Sequence, residues 1–67
     1  MIDVSVNHES YQLDETINLQ RLIERLDLSE SGIAIAINNV IINRSDWRQT
    51  QLSDRDNILI IQAVQGG

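Results

Sequence analysis

The chain finishes on Ala63-Val-Gln-Gly-Gly67, and the carboxylate there is the group with the clearest capacity for chemistry. Once activated by a nucleotide, a carboxylate becomes an acyl donor open to a sulfur or nitrogen nucleophile. Two glycines before it suit that use: the backbone can extend through a narrow channel and present an unhindered carbonyl carbon. The side chains offer less. His8 is the one histidine, and Asn7-His8-Glu9-Ser10 reads as a turn. A lone turn histidine with no second ligand at zinc spacing is an exposed residue sooner than a base or a metal ligand. Asp54 and Asp56 flank Arg55. The set is too short for a calcium loop and lacks its terminal glutamate, so it reads as a solvated turn. Gly32 stands apart from the terminal pair, which leaves no glycine-rich phosphate loop. No serine has an evident base. No catalytic side chain and no metal are expected.

Composition narrows the partners. With 67 residues the chain makes one small domain, and with no cysteine it has no disulfides to staple it. An apolar content of 42%, mostly Ile, Leu and Val, is enough for a thin aliphatic core. The net charge is −5, and all five basic residues are arginine. Phosphate backbones and anionic membranes are bound by clustered basic residues, and no cluster occurs, so neither nucleic acid nor membrane is an expected partner. A charge-steered partner should be basic. Met1-Ile-Asp-Val has none of the features of a signal peptide, and no apolar run reaches spanning length, so a cytoplasmic location is the expectation.

The elements that must carry the tail are legible in the periodicity. Ile2, Val4 and Val6 alternate with polar residues, as in a strand with one buried face, and Tyr11-Gln12-Leu13 pairs back as a second strand. Leu19, Leu22, Ile23 and Leu26 stand at i, i+3, i+4 and i+7, the stripe of an amphipathic helix; Asn18 is placed to cap it, and Ser29 to Gly32 to end it. Ile33-Ala-Ile-Ala-Ile37 is a strand with a branched face and a small one, and the alanines would let the helix pack closely. Asn38-Asn39 is a tight turn into the short strand Val40-Ile41-Ile42. Residues 43–50 read as irregular, with one helical turn at Ser45-Asp46-Trp47. A turn at 54–57 precedes a last strand over Ile58 to Val64, whose continuous apolar run suits the sheet centre.

One helix must cover one face of the sheet. The predicted fold class is α+β: a β-grasp with a mixed sheet of four to five strands packed on one main helix, the first and last strands parallel at the centre. Residues 1–64 are expected to form this domain and residues 65–67 a flexible C-terminal tail.

Specific stretches sharpen this reading. Ile33-Ala-Ile-Ala-Ile-Asn-Asn-Val-Ile-Ile-Asn-Arg-Ser-Asp-Trp47 resembles the "VAVALNGEVVPRSEW" pattern of the ThiS family, the ubiquitin-like sulfur carriers of thiazole biosynthesis. Asp56-Asn-Ile-Leu-Ile-Ile-Gln-Ala-Val-Gln-Gly-Gly67 is similar to that family's "GDxVEIVxAVGGG", and Asn18 to Leu26 to its "TLAELLEEL". The resemblance covers the whole chain. It departs at Asn39, where glycine is usual; at Asn43, where proline is common; at Arg55, before Asp56; and at Gln65, in place of a third glycine. Asparagine adopts glycine-like angles at low cost, so the turn changes are tolerable, while Gln65 shortens the glycine tail and bears on how deeply it enters a channel.

The resemblance implies a mechanism. An E1-like adenylating enzyme of the ThiF type would thread Gly66 and Gly67 toward its own ATP and Mg²⁺. The Gly67 carboxylate would become an acyl-adenylate, a persulfide sulfur donor would displace AMP to leave a thiocarboxylate, and a thiazole synthase of the ThiG type would take the sulfur. The protein would be a co-substrate and not an enzyme, with no cofactor of its own. Family members often carry a polar residue at the Leu59 position, which implies that Leu59 and Ile61 face away from the helix. These residues, with Gln65, Gly66 and Gly67, are the partner-binding set, against the plainer reading of Leu59 and Ile61 as leftover apolar surface. Trp47 and Arg44 pose the same choice, and for Trp47 core packing is the expectation. The rival functions are a molybdopterin synthase small subunit and a ubiquitin-like protein modifier, both using the same Gly-Gly end; a plain interaction module stands behind them.

Overall fold

Alternation of branched and polar residues makes Ile2–Val6 the first strand, β1, with Ile2, Val4 and Val6 buried. The computed structural model of the protein describes residues 1–29 and 31–62. β1 pairs antiparallel with β2, Glu9–Leu13, through a two-residue turn, Asn7-His8, with φ of 50° and 72°. Positive φ at both central residues is what a tight type I′ hairpin demands, and asparagine reaches it readily. The turn is thus shorter than the expected Asn7–Ser10, and Glu9 and Ser10 join β2.

The helix α1, Leu19–Arg25, buries Leu19, Leu22 and Ile23 completely. The Asn18 side chain accepts a hydrogen bond from the Arg21 N–H at 2.8 Å, the expected cap. The helix ends earlier than expected, at Leu26, and not across Ser29 to Gly32. Asp27 takes φ of 57°, its N–H donates to Glu24 O, and the Leu28 N–H donates to Ile23 O. That pair of bonds is the Schellman closure, here with aspartate in the left-handed position that glycine usually fills.

β3, Ile33–Ile37, turns through Asn38-Asn39 (φ 52° and 71°) into β4, Val40–Ile42. Arg44–Gln49 forms a six-residue 3₁₀ helix, a longer regular element than the single turn expected there. Asn43 precedes it at φ −65°, the angle a proline would impose, so asparagine costs the backbone nothing at that point. Trp47 is 1% exposed, and its indole N–H donates to the Ile42 carbonyl at 3.2 Å. The core reading of Trp47 therefore holds.

β5, Asn57–Gln62, completes a five-stranded sheet in the order β2-β1-β5-β3-β4. β1 and β5 run parallel side by side, and β3 pairs antiparallel with β5 from Ile37↔Ile58 to Ile33↔Gln62. This is the mixed sheet with one main helix of the β-grasp fold. Ile58 and Ile60 join Ile35, Ile37, Leu13 and Leu52 in the core under α1. The alanines of β3 do not meet the helix. Ile35 and Ile37 fill that side, while Ala34 is exposed and Ala36 partly so on the other face. The reason is volume: a core fed by one short helix needs the branched side chains, and the small ones are left to the open face. The expected continuation of the last strand to Val64, and the division between residues 1–64 and 65–67, lie outside the described residues.

Candidate functional site

Everything that leads to Gly66 and Gly67 passes through β5, so the site is built from what holds this strand and what its sides display. Neighbours in register share a face. Leu59 pairs with Ala36 and Ile61 with Ala34, on the face away from α1, and Ala36 also pairs with Ile41. Ile61 is 63% exposed and Ile41 74%, while Leu59 is partly buried. These residues form an apolar patch over β5, β3 and β4. On the β1 and β2 side the same face is polar, with Asp3 opposite Gln12 and Ser5 opposite Ser10. The structure thus places Leu59 and Ile61 together on the sheet face away from α1, on the strand that ends at Gln62. Gln65, Gly66 and Gly67 lie outside the described residues.

The start of β5 is held by side chains from two loops. Asp56, 9% exposed, accepts from the Ser53 N–H at 2.8 Å and from Asn38 Nδ2 at 3.1 Å. Asn38 Oδ1 accepts from the Asn57 N–H at 2.9 Å, and the Asn38 N–H donates to the Asn57 carbonyl at 2.8 Å. Asp54 Oδ1 accepts from the Asp3 N–H at 2.8 Å. So the exposed Asp54 and the buried Asp56 both accept from backbone N–H groups. They tie the turn before β5 to β1 and to the β3–β4 turn. Arg55 between them has φ of 70°; its N–H donates to the Asp3 carbonyl at 2.6 Å, and its exposed side chain makes a 3.8 Å contact to Asp54, an ion pair worth little.

Past Ile58, β5 loses its backbone partner in β1, because the chain turns away at Asn7. The Asn7 side chain takes over. Its Oδ1 accepts from the Ile60 N–H at 2.8 Å and its Nδ2 donates to the Ile60 carbonyl at 3.2 Å, while its own N–H donates to Ile58 O at 2.9 Å. A carboxamide has the donor and acceptor of a peptide group, so it can extend a ladder by one step. Without it, the N–H and carbonyl of Ile60, a residue 8% exposed, would lack these partners, at about 1–3 kcal/mol each.

His8, beside Asn7, is exposed at the hairpin tip, as expected. Among the described residues no three of His, Cys, Asp and Glu converge as metal ligands, and no helix is long and apolar enough to cross a membrane. Asn7, Asn38 and Asp56 are the supports of β5 that sequence reasoning missed. Their turn propensity was visible; their partners, up to 53 positions away, were not.

Comparison with known proteins gives one answer. The model of the ThiS family matches residues 4–67. The sulfur carrier protein ThiS of Escherichia coli K12 is 33% identical over 66 residues, covering 98% of this chain and all of that protein. An uncharacterized protein, ycf40, of Trieres chinensis is 34% identical over 62 residues, covering 92% of this chain and 85% of its own. The crystal structure of the thiamine biosynthesis protein (ThiS) from Geobacter metallireducens superposes with a TM-score of 0.83 over 98% of this chain and all of that one. At 20% identity that likeness speaks for the fold.

Proposed function

This chain belongs to the ThiS family, and from that premise we propose that it is a sulfur carrier protein of thiamin biosynthesis. The observation that carries the proposal is a family match over residues 4–67, which takes in Gly66 and Gly67, on a fold whose central strand β5 is the last element described before them.

The mechanism follows from the groups available. The Gly67 carboxylate attacks the α-phosphate of an ATP·Mg²⁺ held by an E1-like adenylating enzyme of the ThiF type. Pyrophosphate leaves and an acyl-adenylate remains. The terminal sulfur of a persulfide attacks the acyl carbon and AMP departs. A thiol then cleaves the sulfur–sulfur bond and leaves a thiocarboxylate on Gly67, and a thiazole synthase of the ThiG type accepts that sulfur. Gly66 has no side chain to obstruct the approach. Leu59 and Ile61, with Ala34, Ala36 and Ile41 around them, are the docking surface for these partners, and Gln65, which precedes Gly66 in the sequence, belongs to the same partner-binding set. ATP and Mg²⁺ belong to the adenylating partner, and the carrier is consumed and regenerated as a co-substrate.

The test is mass spectrometry of the protein after incubation with ATP, a persulfide donor and the adenylating enzyme. Replacement of one oxygen by sulfur at Gly67 is expected, and deletion of Gly67 should abolish it without altering the melting transition. An unmodified terminus with every E1-like enzyme of the source genome would sink the carrier reading. A stable amide to another protein would favour a protein modifier instead.

A further inference from the structure

Parallel pairing between β1 and β5 reaches only Val6↔Ile58, yet the ladder on that side of β5 does not stop there. The Asn7 N–H donates to the Ile58 carbonyl at 2.9 Å. In a regular parallel ladder the next bond would run from the Ile60 N–H to the backbone carbonyl of residue 7. Asn7 has left the strand with φ of 50°, and its side-chain Oδ1 receives that N–H instead, at 2.8 Å. Its Nδ2 then satisfies the Ile60 carbonyl, in place of the N–H a continued strand would supply.

We infer that Asn7 is a positioning residue for the chemistry at Gly67, an amide clamp that anchors β5 on its β1 side up to Ile60 and so fixes the point and direction from which the chain sets out toward its reactive end. The inference rests on the sulfur-carrier reading. Its logic is the division of labour between the two edges of β5. The β3 edge, through Ala36↔Leu59 and Ala34↔Ile61, holds the apolar docking residues. The β1 edge beyond Ile58 is held by Asn7, and the clamp ends seven residues before Gly67. Reaction at a threaded terminus depends on how narrowly its position is distributed, so a loosened β1 edge lowers the rate of adenylation while leaving docking in place.

The experiment uses the full chain with Asn7→Gly. Glycine accepts positive φ without strain, so this change deletes the amide and spares the turn. Two readouts are taken: amide hydrogen exchange, and steady-state adenylation of Gly67 by a ThiF-type enzyme, followed as ATP–pyrophosphate exchange. For two lost hydrogen bonds, exchange at Ile60 is expected to accelerate about tenfold beyond any change at Val4 or Ile35, with kcat about tenfold lower and KM within about twofold. Asn7→Asp keeps the acceptor for the Ile60 N–H and loses the donor, and should fall between the two. Val4→Ala, which weakens the same sheet without touching Ile60, is the control for stability alone.

Unchanged exchange at Ile60, unchanged kcat, or a kcat loss matched by Val4→Ala overturns the inference while the carrier reading stands. Failure of the unsubstituted protein to be adenylated overturns the carrier reading and this role together, with exchange at Ile60 then reporting a purely structural clamp.

Discussion

Asn38 and Asn57 are bound to each other twice: the Asn38 N–H donates to the Asn57 carbonyl at 2.8 Å, and the Asn57 N–H donates to Asn38 Oδ1 at 2.9 Å. A turn residue with φ of 52° thereby seats the first residue of β5, the central strand. Asn38→Gly retains the backbone angle and removes only the side-chain bonds, to Asn57 and to Asp56. Urea denaturation should show a loss of about 1–3 kcal/mol with an unchanged slope, whereas Asn39→Gly should be close to neutral. Equal midpoints for wild type and Asn38→Gly would refute this role.

Arg55 occupies a left-handed backbone position, φ 70°, with its side chain 91% exposed. Its N–H is held by the Asp3 carbonyl, a bond that glycine would keep, while its side chain adds little packing or pairing. Arg55→Gly should therefore stabilise the protein by about 0.5–1 kcal/mol, the relief of left-handed strain less the added freedom of the unfolded chain. A lowered melting temperature would contradict this.

Trp47 supplies the largest fully buried side chain and satisfies the Ile42 carbonyl at the end of β4. Trp47→Ala should cost about 3–5 kcal/mol. For so small a domain that is most of its stability, so circular dichroism at 37 °C should report a largely unfolded chain. Trp47→Phe removes the indole donor and part of the volume, and should fold with a lower midpoint.

Ile61 is exposed on the open face, so Ile61→Glu should change folding stability by less than about 0.5 kcal/mol. If that face docks the adenylating partner, the same change should raise KM for adenylation at least about tenfold, the cost of placing a charge in an apolar contact. A KM equal to that of the wild type would assign the patch to ordinary surface.

Asp14 carries the pH prediction. The Thr16 hydroxyl donates to its Oδ1 at 2.6 Å and the Thr16 N–H at 2.8 Å. The hydroxyl bond first, and the backbone bond second, hold its carboxyl below the usual carboxylate range. A depressed folded pKa means that its contribution to the turn before α1 is complete above the unfolded value and lost as pH falls through the folded one. An NMR titration should place Asp14 below the usual aspartate range, and Thr16→Val should bring it back toward that range.

Several features of this protein were written locally. The period-two run of Ile2, Val4 and Val6, the stripe of Leu19, Leu22 and Ile23, the Asn18 cap and the Asn38-Asn39 turn each depend on residues within a few positions, and each formed as read. The Gly-Gly end and the central motif were enough to point to the family. The alanine face of β3 was misassigned because alternation shows that a strand has two faces without showing which meets the helix. The helix end was misplaced because the left-handed closing residue is Asp27 and not a glycine.

The sequence by itself therefore determined the elements, their order and the family, since these follow from nearest-neighbour periodicity and from short motifs that need no distant partner. Only the tertiary structure decided how β5 is held. Asn7, Asn38 and Asp56 looked like ordinary turn residues until folding brought Asn7 to Ile60, Asn38 to Asn57 and Asp56 to Ser53. Hydrogen bonds are directional and short, so those that span most of the chain exist only once the sheet has set the distance between their ends.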